Sequence, residues 1–149
     1  MAVILIVDDD PTVRAIAVEL LRADEHALIE AEDGKLALEV IAAVSIDLIV
    51  LDLLMPNVDG LEVIRSVRQS HPHIRILAIS SGGRSGAQSY LDAARAFGAD
   101  DTLMKPLRLA TFAEKVSRLL LHSVRQSGSQ GADSPTLAWR SQGRPQAHR

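Results

Sequence analysis

The chain contains no cysteine, which excludes disulfides, thiolate zinc sites and cysteine nucleophiles and fits a reducing compartment. It has no apolar run approaching the roughly 20 residues needed to cross a bilayer, so no membrane insertion is expected. No basic leader with a cleavage site precedes the first apolar segment, which argues against a signal peptide and for a cytoplasmic location. A surplus of positive charge is also missing. Residues 1–122 hold 12 Lys and Arg against 18 Asp and Glu, a balance of −6, so direct binding to nucleic acid is not expected.

What is present is the composition of one globular domain: 149 residues, 47% apolar and 23% charged. Val3 to Val7 is a continuous apolar run rich in β-branched residues, the mark of a strand buried on both faces. It ends in Asp8-Asp9-Asp10-Pro11, where Pro11 suits a first helical turn and Asp10 an N-cap. Val13, Ile16, Ala17, Leu20 and Leu21 then recur at helical spacing. A mixed strand follows over His26 to Ala31, and Glu32-Asp33-Gly34 turns it into a helix with Ala37, Val40, Ile41 and Val44 on one face. Leu48 to Leu51 is a third strand; Val63, Ile64 and Val67 mark a third helix that ends before Pro72. Ile74 to Ile79 is a fourth, wholly apolar strand, followed by a flexible loop from Ser80 to Gly86. Ala87, Leu91 and Ala94 give a helix capped by Gly98, Asp100 to Met104 a short fifth strand, and Leu109, Phe112, Val116, Leu119 and Leu120 a last amphipathic helix.

Five strands alternating with five helices imply an α/β fold, a doubly wound parallel sheet covered on both faces. Strands one, three and four are apolar throughout and two and five are mixed, which places the latter pair at the edges. The flavodoxin-like order 2-1-3-4-5 satisfies this, and such sheets bind ligands at the carboxyl ends of their strands. The domain is expected over residues 1–122. Residues 123–149 are rich in Ser, Gln, Gly, Pro and Arg, with a balance of +3 from 4 Arg and 1 Asp, and are expected to be disordered in isolation. That tail is too short and polar for an appended helix-turn-helix, and its lone aromatic, Trp139, decides nothing.

In this topology Asp8, Asp9, Asp52, Ser80 and Lys105 meet at the carboxyl ends of the strands. Three carboxylates in one pocket repel each other, and a hard divalent cation such as Mg²⁺ relieves that repulsion. Metal and Lys105 would neutralise a transient dianion while Ser80 donates a hydrogen bond to it. His71 and His73 flank a proline in a turn and are read as solvated, and Gly82-Gly83 lacks the Lys-Ser/Thr of a P-loop.

The sequence resembles the receiver domain of bacterial two-component response regulators over residues 2 to about 121. The motifs agree in order and spacing: Ile6-Val7-Asp8-Asp9-Asp10, Glu30-Ala31 with Asp33-Gly34, Leu51-Asp52-Leu53-Leu54-Met55-Pro56 with Asp59-Gly60, Ser80, Gly98-Ala99-Asp100-Asp101, and Lys105-Pro106. The resemblance implies a CheY-like, stand-alone receiver in which Asp52 is the phosphoacceptor, loaded by a sensor histidine kinase or exchanging with a histidine phosphotransfer protein, and signalling to a downstream protein. It implies Mg²⁺ held by Asp8, Asp9, Asp52 and the backbone carbonyl of Leu54. Ser80 and Lys105 would contact the phosphoryl oxygens, Lys105-Pro106 would be cis, Ser81 would leave a path for the donor, and Leu54 and Gly82 would tune the lifetime of the acyl phosphate. No enzyme activity is implied beyond self-phosphorylation and autodephosphorylation.

At one position the chain departs from the family. Three residues before the lysine, where similar domains carry an aromatic ring, stands Thr102, too small for an aromatic-sized pocket. Output is then expected to run through the glycine-rich stretch Ser81 to Gly86. Three other readings compete. A Mg²⁺-dependent phosphohydrolase with Asp52 as nucleophile needs a second acid two residues on, where Leu54 stands. A flavodoxin relative needs a phosphate loop where three acids lie. A pseudo-receiver scaffold would not need Asp8, Asp9, Asp52 and Lys105.

Overall fold

The computed structural model describes residues 1–55, 58–81, 86–126 and 147–148. Pro56, Gly82 and Trp139 lie outside the described residues. Strands β1 (Val3–Val7), β2 (Ala27–Ala31), β3 (Leu48–Asp52), β4 (Arg75–Ser81) and β5 (Asp101–Lys105) alternate with helices α1 (Pro11–Leu21), α2 (Gly34–Ala43), α3 (Gly60–Ser70), α4 (Ala87–Phe97) and α5 (Leu109–Gln126). All five pair in parallel in the order 2-1-3-4-5. A two-residue strand, β6 (Ala147–His148), adds to the outer side of β2 in antiparallel sense.

Side-chain alternation along each strand divides the core in two. Leu5, Val7, Ile29, Ile49, Leu51 and Ile76 face α2, α3 and α4, while Ile4, Ile6, Leu28, Val50, Leu77 and Ile79 face α1 and α5, where Phe112 is wholly buried. Each fully buried Leu or Ile contributes about 1.5–3 kcal/mol relative to exposure, so these two layers hold the strand ends in place.

The helices begin where short acids can cap them. Asp10, Asp33 and Asp59 accept from the backbone N–H groups of Thr12, Leu36 and Leu61, each at 2.8 Å. Gly98 ends α4 at φ +123°, in backbone space that only glycine occupies readily. Two boundaries differ from the sequence reading by more than one residue. Ser80 and Ser81 lie in β4 because they pair with Met104 and Lys105 of β5; backbone pairing carries the strand past its apolar run. The last helix runs past Leu120, the end of its apolar pattern, to Gln126, and residues 127–146 lie outside the described residues.

Candidate functional site at the carboxyl ends of the strands

Parallel pairing brings the ends of β1, β3, β4 and β5 to one edge of the sheet. There Asp8 is 1% exposed, Asp52 3% and Ser80 0%, while Asp9 is exposed. One carboxylate oxygen each from Asp8, Asp9 and Asp52 lies within 4.8 Å of the others. Lys105 Nζ stands between the buried pair, 2.9 Å from Asp8 Oδ2 and 3.5 Å from Asp52 Oδ1. Asp8 Oδ1 accepts from the N–H of Asp10 at 2.9 Å.

Two of the three acids are buried and one cation is shared between them. Burial, then the charge of Asp8, raises the Asp52 pKa to about 6, against the lowering pull of Lys105 and of the Leu54 N–H that its carboxylate accepts. Burial works against the lysine charge, but the hydrogen bond to Asp8 and the charge of Asp52 outweigh it and hold Lys105 above its ordinary value. The donor set is all oxygen and short of positive charge, which fits a hard divalent ion such as Mg²⁺. Ser80 Oγ is buried and has no hydrogen-bond partner among the described residues. A buried hydroxyl left so costs about 1–3 kcal/mol, which suits a group that acquires a partner when the site is filled.

The backbone behind Asp52 is fixed by a close approach. A Cβ on Gly60 would stand 2.6 Å from Leu53 Cα and 2.8 Å from the Asp52 carbonyl oxygen, so only glycine lets α3 start here. Leu53 N–H bonds to the Ile79 carbonyl at 3.0 Å and Gly60 N–H to the Leu53 carbonyl at 3.2 Å. The Leu54 side chain is exposed, and the Lys105-Pro106 peptide is cis as expected.

One residue the sequence did not single out is Arg14. Its guanidinium donates to the Asp8 carbonyl at 2.6 Å and to Glu30 Oε1 at 3.0 Å, tying the end of β1 to β2. A cation in the first turns of α1, four residues after Asp10, was the available signal, but its partner Glu30 is 16 positions away. Thr102, by contrast, was singled out, and its hydroxyl accepts a hydrogen bond from Arg95 at 3.1 Å. His71 Nδ1 lies 2.8 Å from Ser70 Oγ, far from the acids in the fold, and neither His71 nor His73 joins the site.

Beside Lys105 an apolar hollow of about 320 Å³ is lined by Val13, Ile16, Ser81, Lys105, Pro106 and Leu107. No helix among the described residues is long and apolar enough to cross a membrane.

Comparison with known proteins agrees with this geometry. The model of the response regulator receiver domain family matches residues 4–117. The chain is 38% identical over 137 residues to response regulator MprA of Mycobacterium sp. (strain KMS), covering 91% of this chain and 56% of that protein. It is 33% identical over 136 residues to transcriptional regulatory protein CpxR of Escherichia coli (strain K12), with 90% and 56% covered. The chain therefore spans about half the length of the curated relatives it matches. Among solved structures, response regulator TrrA from Thermotoga maritima in complex with Mg²⁺ and BeF is 32% identical with a TM-score of 0.71, over 80% of this chain and 100% of that one. The receiver domain of NtrX from Brucella abortus is 27% identical with a TM-score of 0.74, over 79% and 98%.

Proposed function

Because the chain belongs to the response regulator receiver domain family, we propose that Asp52 is the phosphoacceptor of a two-component phosphorelay and that the chain signals by protein–protein contact. The observation that carries this reading is the placement of the Asp52 carboxylate, buried yet at a strand end, between two further acids and the ammonium of Lys105. A carboxylate oxygen of Asp52 attacks the phosphorus of a phosphohistidine on a sensor histidine kinase or histidine phosphotransfer protein. The P–N bond breaks, its electron pair leaves with the imidazole, and an acyl phosphate remains.

Lys105 is already within 3.5 Å of the reacting oxygen and moves its charge from the carboxylates to the phosphoryl oxygens. Ser80 gives its unpartnered hydroxyl to one of them. Asp8, Asp9, Asp52 and the Leu54 carbonyl would hold Mg²⁺, which when bound supplies the positive charge that neutralises the transferring group. Hydrolysis of the acyl phosphate by water returns the carboxylate and inorganic phosphate, so the chain acts only on its own phosphoryl group. The hollow beside Lys105 suits contact with the donor protein, since it is apolar and opens next to the acceptor. The acidic balance of residues 1–122 fits a cytoplasmic module that does not itself bind nucleic acid.

Acetyl phosphate with Mg²⁺ is expected to add one phosphoryl group, read by intact mass, as an acid-stable and base-labile adduct. Asp52→Asn is expected to abolish it. A chain that takes no phosphoryl group, or an adduct that survives the substitution, would overturn the assignment.

A further inference from the structure

An outer strand presents a row of backbone N–H and C=O groups that invite pairing with another chain. β2 is the outer parallel strand on its side of the sheet, and its free side is met by β6: Leu28 pairs with His148 and Ile29 with Ala147. Neither Ala nor His favours a strand, so the extended conformation of Ala147–His148 is imposed by the edge it meets.

Charge favours the same encounter. Residues 22–34, which form β2 and the turns around it, contain 5 acids, Asp24, Glu25, Glu30, Glu32 and Asp33, against Arg22 alone. Asp24, Glu25 and Glu32 are exposed. Residues 123–149 contain 4 Arg and 1 Asp. The covalent connection is also long enough. The 20 residues between Gln126 and Ala147 reach about 65 Å when extended, against a radius of gyration of about 14 Å for a domain of this size. Tethering gives the segment an effective concentration in the millimolar range, which a two-residue pairing between separate molecules lacks.

We propose that the β2 edge is a docking site for a short extended segment from a basic stretch of chain, and that its occupant is Ala147–His148 of the same chain, which closes the sheet edge against other molecules. Amide hydrogen exchange on the full chain tests this. The double variant Ala147→Pro with His148→Pro removes both N–H donors of β6 and keeps every Arg. The edge-facing amides among residues 27–31 should exchange faster by on the order of tenfold in the variant, with β4 amides unchanged as the control for folding. Equal β2 exchange in the two proteins overturns the inference. So does protection that disappears on dilution together with a dimer in sedimentation, since the strand then comes from a second copy.

Discussion

Two charged clusters lie at opposite ends of the same sheet and are balanced in opposite ways. At the strand starts, Asp100 Oδ2 accepts from Arg68 at 2.6 Å and from the Ile76 N–H at 2.8 Å, and Oδ1 accepts from Arg75 at 3.2 Å. Arg68 donates further to the carbonyls of Gly98 and Ile74, at 2.8 and 2.6 Å. One carboxylate thus holds two guanidinium groups and ties α3, β4 and the start of β5 together. At the strand ends, Asp8, Asp9 and Asp52 share one ammonium. Where cations outnumber acids an aspartate is structural; where acids outnumber cations it is left reactive and costs stability.

The largest effect should come from the first cluster. Asp100→Ala leaves two half-buried guanidinium groups without their carboxylate and the Ile76 N–H without its acceptor, and should cost about 3 kcal/mol. Urea unfolding reads this as a lower midpoint at unchanged slope. A loss below about 1 kcal/mol would mean that water replaces the carboxylate and that the contrast between the clusters is wrong.

Asp52→Asn should act in the other direction. In the metal-free protein its folded pKa, about 6, lies above the unfolded value near 3.8. The native state therefore binds the proton more tightly, and the stability Asp52 contributes is fully present below pH 3.8 and lost as pH rises through 6. The proton is held about a hundredfold more tightly in the native state, which corresponds to roughly 2 kcal/mol after allowance for solvent screening. In chelator at pH 8 the Asn variant should be more stable than wild type by that amount, with the difference vanishing near pH 4. A variant less stable at pH 8 would show that Lys105 already compensates the charge. Saturating Mg²⁺ should shrink the difference, since it stabilises the ionised carboxylate of the wild type alone.

Gly98 sharpens the comparison from the backbone side. At φ +123°, an alanine would be strained, and its Cβ would stand 2.7 Å from Arg68 Cγ. Arg68 cannot swing away without abandoning Asp100, so Gly98→Ala should cost about 1.5 kcal/mol. In the background of Asp100→Ala, where Arg68 keeps only its carbonyl partners and can move more readily, the cost should fall, a coupling that a double-mutant cycle measures. Strict additivity would remove Arg68 from the account.

The strand-end cluster was legible in the sequence because apolar runs end at Asp8 and just before Asp52, and because Lys105 is followed by a proline. Sheet order supplied the convergence. The Asp100 cluster was legible only as part of Gly98-Ala99-Asp100-Asp101, since Arg68 lies 32 positions away and long-range ion pairs leave no periodic mark. The same holds for Arg14 with Glu30. Ser80 and Ser81 were read as loop because strand extension there depends on pairing with Met104 and Lys105 and not on hydrophobicity. The pairing of β6 has no local signal at all, because Ala147 and His148 are strand only by contact with β2.

The smallest effect concerns a further acid, Asp101, which resembles Asp100 in its partners and not in its setting. Burial pushes its carboxyl up, but the Thr102 N–H, Lys115 and Arg95 outweigh this and hold it below the usual carboxylate range. Arg95, which joins Asp101 at 3.0 Å and the Thr102 hydroxyl at 3.1 Å, is 53% exposed, so water can take over both contacts. Lys115 keeps two further contacts to the same carboxylate, each at 3.1 Å. Arg95→Ala should therefore cost no more than about 0.5 kcal/mol, an exposed ion pair's worth, and high salt should shrink even that. A loss near that of Asp100→Ala, insensitive to salt, would instead show that Arg95 holds α4 against β5 as Arg68 holds α3 against β4. The number of partners around an aspartate would then matter more than their exposure.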